Sequence, residues 1–155
     1  MLPKTILVPT DLSEAAEAAV DYACELATQL GATVHLLHVI GIPAVGVPEL
    51  GVALTSTMID SLVADAQKAL DELAASRRSR ASIGQTILKT GDARDMIDQT
   101  ADEIGAGLIV LGSHGRRGVT RVLLGSVAES VVRTAPCPVL TVPVGRRKHH
   151  GRRAA

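Results

Sequence analysis

Short apolar runs alternate with stretches of helical spacing along the whole chain, and that order limits the fold more than composition does. Lys4–Val8 is a β-rich run closed by Pro9, Thr10 and Asp11. From Ser13 to Leu30 the apolar residues Ala16, Val20, Ala23, Ala27 and Leu30 recur at helical spacing, and Gly31 supplies a C-terminal stop. Thr33–Ile40 is a second strand, apolar enough to predict burial on both faces. Gly41 to Gly51, rich in Gly and Pro, reads as a loop. A helix from about Thr55 to Ser76 carries Ile59, Val63, Ala66, Leu70 and Leu73 on one face. The polar link Arg77–Arg80 leads to a third strand, Gln85–Lys89. Asp92 is the expected N-cap of a helix that buries Ile97, Ala101 and Ile104. A fourth strand, Leu108–Leu111, a last helix, Val127–Thr134, and a last strand, Pro138–Val142, complete the series. This alternation implies right-handed crossovers and predicts an α/β fold: a single-domain, open, five-stranded parallel sheet with helices on both faces. In such sheets ligands sit beyond the carboxyl ends of the strands, where the strand order reverses.

Composition excludes several functions. The 155 residues fit one domain, 46% hydrophobic and 21% charged, with no apolar stretch long enough to span a bilayer. Met1-Leu-Pro-Lys4 opens no secretory signal, so a cytoplasmic location is expected. Cys24 and Cys137 lie far apart and read as reduced packing residues. Charge is zero overall but unevenly spread. The tail from residue 145 to 155 holds five of the sixteen basic residues and no acid, which leaves eleven basic against sixteen acidic residues in the body, 1–144. An acidic body with one aromatic residue, Tyr22, offers neither a basic surface nor stacking rings, and no nucleic-acid partner is expected. The tail reads as a solvated, disordered end.

The segment Gly112-Ser-His-Gly115, followed after nine residues by Gly125-Ser126, carries the chemistry. It joins the fourth strand to the last helix. Glycines there let backbone N–H groups approach a bound group, and a helix N-terminus favours negative charge. A P-loop is absent, and no G-x-G-x-x-G follows the first strand. What remains is G-x2-G-x9-G-[ST] across a strand-loop-helix junction, which points to a phosphate cradle. The turn after the first strand and the end of the second also lie at carboxyl ends, so these distant segments can converge.

With Ile6-Leu-Val-Pro-Thr-Asp11-Leu-Ser13 at the front, Leu37-His-Val39 on the second strand, Gly91-Asp92 before the third helix and Val110-Leu-Gly-Ser-His-Gly115 through Pro136-Cys-Pro-Val-Leu-Thr-Val142 at the end, nearly the whole chain resembles the ATP-binding branch of the universal stress protein family. The resemblance implies a Rossmann-like fold of the adenine nucleotide alpha hydrolase type over residues 1–144, bound ATP, and a homodimer joined through Pro138–Val142. It also implies site roles. Gly112 and Gly115 leave room for ribose and phosphates. Gly125, Ser126 and Val127 offer N–H groups, with the Ser126 hydroxyl on a phosphate; Ser126-x-x-Glu129 is equally a capping box. Asp11 accepts from ribose hydroxyls, or caps the helix through Asp11-x-x-Glu14, a task Ser13 can take instead. Val39 meets adenine through its backbone, with Pro9 and Thr10 as the wall. Arg116, Arg117 and His114 stand beside the phosphates, or are plain loop side chains. His35 and His38, three apart on a strand, face opposite ways and cannot share a metal; packing or pairing accounts for them. Mg²⁺ would arrive with the phosphates.

Three functions fit these expectations. One is an ATP-binding regulatory protein acting on an unidentified partner. A second is a slow ATP hydrolase or nucleotidyl transferase, although no residue is a clear candidate to position a water and no P-loop lysine is present. The third is an interaction module whose glycine loop is empty.

Overall fold

The computed structural model describes residues 1–41, 56–113 and 124–143. The expected loop from Gly41 to Gly51 therefore lies almost wholly outside the described residues, as do His114, Gly115, Arg116, Arg117 and the basic tail. Among the described residues five strands and four helices alternate: β1 (Thr5–Pro9), α1 (Glu14–Leu30), β2 (Thr33–Ile40), α2 (Ser56–Arg77), β3 (Ile83–Thr90), α3 (Ala93–Glu103), β4 (Leu108–Gly112), α4 (Ser126–Thr134) and β5 (Val139–Val142). All pairings are parallel, in the order β3-β2-β1-β4-β5. The expected α/β class and parallel sheet are thus present. From β1 the chain winds outward through β2 to β3, then crosses back to β4 and β5. The order reverses between β1 and β4, and ligand crevices of open sheets form at that point.

Two apolar layers cover the sheet. On one face Ile6, Val8, Val34, Leu36 and Val110 pack with Val20, Ala23 and Ala27 of α1 and Leu70 and Ala74 of α2. On the other, Leu7, Leu37, Ile109 and Leu111 pack with Ile97 and Ala101 of α3 and Ala128 and Val131 of α4. Each large side chain that is wholly buried in these layers contributes roughly 1.5–3 kcal/mol. Helix ends follow local chemistry. Gly31 adopts φ 60°, which costs glycine little, and its N–H donates to the Ala27 carbonyl to close α1. Asp92 caps α3 as expected, accepting from the Arg94 backbone N–H.

Three expectations need correction. The apolar face of α2 is only partly buried: Leu70 and Ala74 are covered, whereas Ile59 remains 46% exposed beside exposed Met58 and Leu62. Twenty-two helical residues span about 33 Å against about 26 Å for an eight-residue strand, so the first turns outrun the sheet. Arg77 belongs to α2 rather than to a polar link. Its guanidinium donates to Asp21 at 2.8 Å and to Glu17 at 2.7 Å, tying the end of α2 to α1. Finally, β3 starts at Ile83, two residues early, because Ile83 is buried and pairs with Val34 before the register shifts.

The register shift accommodates His35. A Cβ on Gly84 would stand 2.7 Å from the His35 ring, so only glycine lets the imidazole lie against β3. Nδ1 of His35 accepts the Gln85 backbone N–H at 3.2 Å, which leaves the ring proton on Nε2. Burial pushes the His35 pKa below its usual 6.5. Protonation therefore favours the unfolded chain. Stability is fully present above pH 6.5 and falls as the pH drops from there toward the lowered folded-state value. Carboxylates held low, Asp92 at about 2 and Glu103 beside Lys89, act only at more acidic pH. Urea unfolding is expected to show a stability loss between pH 7.5 and 5.5 that shrinks in His35→Gln; an equal loss in both proteins would refute the assignment.

Candidate functional site

Where β1 ends, Thr10 uses every polar group it has. Its N–H donates to the Leu37 carbonyl at 2.8 Å, continuing the β1–β2 ladder by one residue. Its carbonyl accepts from Nδ1 of His38 at 2.8 Å, and its hydroxyl accepts the Leu12 N–H at 3.1 Å. Because a carbonyl cannot donate, His38 carries its proton on Nδ1, the tautomer opposite to that of His35. Both histidines thus pair with backbone, as one of the expected readings had it. Asp11 then turns the chain: its Oδ1 accepts from the Ser13 N–H at 3.0 Å and from the Ser13 hydroxyl. Ser13 is the N-cap of α1, accepting the Ala16 N–H at 3.2 Å. A cap of this kind is worth about 1 kcal/mol. The alternative of Asp11 as the helix cap is therefore set aside, because Ser13 holds that position. Leu12 takes φ 62°, the left-handed region that a branched side chain disfavours, while its side chain packs on the α1 layer.

Across the reversal point, β4 ends at Gly112 and the Ser113 N–H donates to the Val142 carbonyl at 2.9 Å. The Ser113 carbonyl accepts the Gly125 N–H at 2.7 Å. That bond brings the start of α4 back to the end of β4. Gly125 is the N-cap, with φ −62° and ψ 159°, and its carbonyl accepts the Glu129 N–H at 2.9 Å. The capping box expected at Ser126 does not form. Ser126 is already the first helical residue, and the Glu129 carboxylate pairs with Arg133 at 2.7 Å. Gly125 has no side chain to cap with, so the first amides of α4, including those of Ser126 and Val127, have no acceptor within the helix and, among the described residues, no capping side chain. The Gly125 N–H, by contrast, is taken by Ser113.

The described candidates all lie at the carboxyl edge of the sheet. Pro9 ends β1 opposite Leu37, and buried Thr10 and half-buried Asp11 follow it. Val39, half-buried on β2, sits two residues beyond Leu37, level with Lys89. Gly112 pairs with Val142, and the register Ile6↔Leu108, carried forward, sets it beside Thr10. Gly125, Ser126 and Val127 join them through Ser113. Sequence reasoning gave Ser113 and His38 no part here. Neither has a signature in the chain, since each acts through a partner more than ten residues away.

A parallel sheet with a strand-order reversal, a carboxylate-bearing turn after β1 and a helix start tied to the end of β4 place this chain among the open, Rossmann-like α/β proteins. The chain belongs to the universal stress protein family, whose model matches residues 3–143. It is 31% identical over 140 residues to "Universal stress protein A homolog 1" of Coxiella burnetii, covering 90% of this chain and 95% of the relative. Among solved structures it resembles the universal stress protein UspA from Lactobacillus plantarum, with a TM-score of 0.74 and 31% identity over 90% of this chain and 97% of that one. A universal stress protein from Archaeoglobus fulgidus, solved in complex with dAMP, matches with a TM-score of 0.64 and 26% identity over 91% and 98% of the two chains. No helix among the described residues is long and apolar enough to cross a membrane.

Proposed function

We propose that this protein binds ATP in the crevice between β1 and β4 and acts in the cytoplasm as a nucleotide-dependent stress-response regulator through contacts with a partner protein. The observation that carries the reading is the start of α4. Its first amides stand where the Gly125–Ser113 bond ties the helix to the end of β4, and among the described residues no side chain caps them, as an anionic ligand requires. The dAMP complex of the Archaeoglobus relative supports an adenine nucleotide in the same fold. In this reading Asp11 accepts from the ribose hydroxyls. Val39 meets the adenine through its main chain, with Pro9 and Thr10 forming the wall. Gly112 and Gly115 leave space for ribose and phosphates, and the Val127 N–H with the Ser126 N–H and hydroxyl engage the phosphates. Gly125 contributes clearance and the turn geometry, since its own N–H is committed to Ser113. His114 and Arg116 add polar groups from the loop. Mg²⁺, when present, is held by the phosphates.

A homodimer fits the same account. β5 is an edge strand of four residues, half-buried along its length, with main-chain groups on its outer side available to a second copy. Sedimentation is expected to give a dimer at micromolar concentration, reduced to monomer by Thr141→Pro; a monomeric wild type would contradict this.

Gly125→Val tests the site itself. Its φ and ψ lie where valine is at ease, so the fold persists while the added side chain fills the helix start. Calorimetric titration is expected to show ATP affinity at least tenfold weaker, with the thermal midpoint within a few degrees of wild type. Unchanged affinity would refute the placement of the phosphates.

A further inference from the structure

The β1–β2 ladder stops one rung short. In a parallel pair, the N–H and C=O of one residue point to the same neighbouring strand, and successive residues alternate sides. Leu37 faces β1, since its carbonyl accepts the Thr10 N–H, so Val39 also directs its N–H and C=O toward the β1 side. Ile40 faces the other way and accepts the Gly91 N–H beside β3. The next rung would be the Val39 N–H donating to the Thr10 carbonyl. It is not made. That oxygen is instead held by Nδ1 of His38 at 2.8 Å, a side chain reaching over from the same strand.

We propose that His38 is a positioning residue of the nucleotide site: by taking the Thr10 carbonyl it ends the ladder early and leaves the Val39 main chain open for the purine edge. The inference rests on the ATP reading above and adds the device that keeps the base contact available. The same bond fixes the turn that carries Asp11. With the Thr10 amide on Leu37, its hydroxyl on Leu12 and its carbonyl on His38, the peptide units on both sides of Thr10 are fixed. Leu12 can then be held at φ 62°, and Oδ1 of Asp11 stays on Ser13. Without His38, Thr10 is free to swing toward the Val39 N–H and extend β1 by a rung. That closes the donor meant for the base and shifts the ribose-binding carboxylate. Only Nδ1 does this work. Asparagine places an N–H donor at nearly the same point along the side chain, whereas glutamine places it one atom too far.

Calorimetric titration of wild type, His38→Asn and His38→Gln with ATP, and separately with inorganic tripolyphosphate, tests the assignment, with thermal unfolding confirming that each variant is folded. Wild type is expected to bind ATP more tightly than tripolyphosphate. His38→Gln is expected to lose about fivefold or more in ATP affinity, the weight of one neutral hydrogen bond, with tripolyphosphate affinity unchanged. His38→Asn is expected to stay within about twofold of wild type for both. Wild-type ATP affinity in His38→Gln, an equal loss in both variants, or a parallel loss for ATP and tripolyphosphate overturns the role of His38 while the nucleotide reading stands. A wild type that binds neither ligand overturns both. The ring nitrogens supply a second readout: ¹⁵N spectra are expected to show His38 protonated on Nδ1 at neutral pH and His35 on Nε2, and an Nε2–H tautomer at His38 contradicts the bond.

Discussion

Ile6, Leu7 and Val8 are wholly buried between the two helical layers, and the pairing of this strand with β2 on one side and β4 on the other decides where a ligand can go. A strand covered on both faces leaves water only at its ends. Since the connections from β1 and β4 depart to opposite faces, their carboxyl ends stand side by side, and among the described residues no helix lies across them. The place of the proposed crevice is therefore a consequence of strand order. What the local sequence adds is polarity. Thr10 bonds Leu12 and β2, and Asp11 bonds Ser13, at one lip, while Ser113 binds Gly125 at the other. Each lip is a strand end held by hydrogen bonds, so in the proposed site the groups aimed at a ligand need little reorganisation on binding.

In the proposed site, recognition by the main chain asks little of the side chains. Amides at a helix start exist whatever the sequence, provided the N-cap does not consume them. A serine or aspartate at position 125 would accept one of those N–H groups; glycine cannot. Glu129, which in a capping box would also reach back toward the helix start, pairs with Arg133 in the other direction. Similarly, Val39 needs no polar side chain to meet a base, only a neighbour that does not bond its N–H. In the proposed role, His38 meets that condition by drawing the Thr10 carbonyl onto its own Nδ1–H.

Much of the fold was legible in the chain because burial on both faces writes an unmistakable pattern. β2 matches its expected span of Thr33–Ile40, Gly31 stops α1, and Asp92 caps α3. The failures share a cause: periodicity counts apolar residues without knowing what lies beneath them. Thus Ile59 looks like a core residue on a helix that outruns its sheet, and Arg77 looks like a solvated link although Glu17 and Asp21 wait for it on α1. The start of β3 was hidden because Gly84 and the register shift break the alternation. At the candidate site, the Thr-Asp-x-Ser turn and the places of Gly112 and Gly125 at the end of β4 and the start of α4 were readable. A serine three residues before a glutamate suits a cap and a helical first turn equally, so the chain alone could not decide for Gly125. Leucine disfavours left-handed backbone, so nothing announced Leu12. The Thr10–His38 bond appears only once β1 and β2 are side by side.

In the proposed site, main-chain amides at the start of α4 receive phosphate while the Val39 main chain receives the base. Backbone amide resonances of ¹⁵N-labelled protein titrated with ATP and then with adenosine test it most directly. ATP is expected to shift Ser126, Val127 and Val39 together, and adenosine to shift Val39 while leaving Ser126 and Val127 in place. Amides at the helix start that do not respond to ATP, in a protein whose other resonances confirm the fold, would contradict the account.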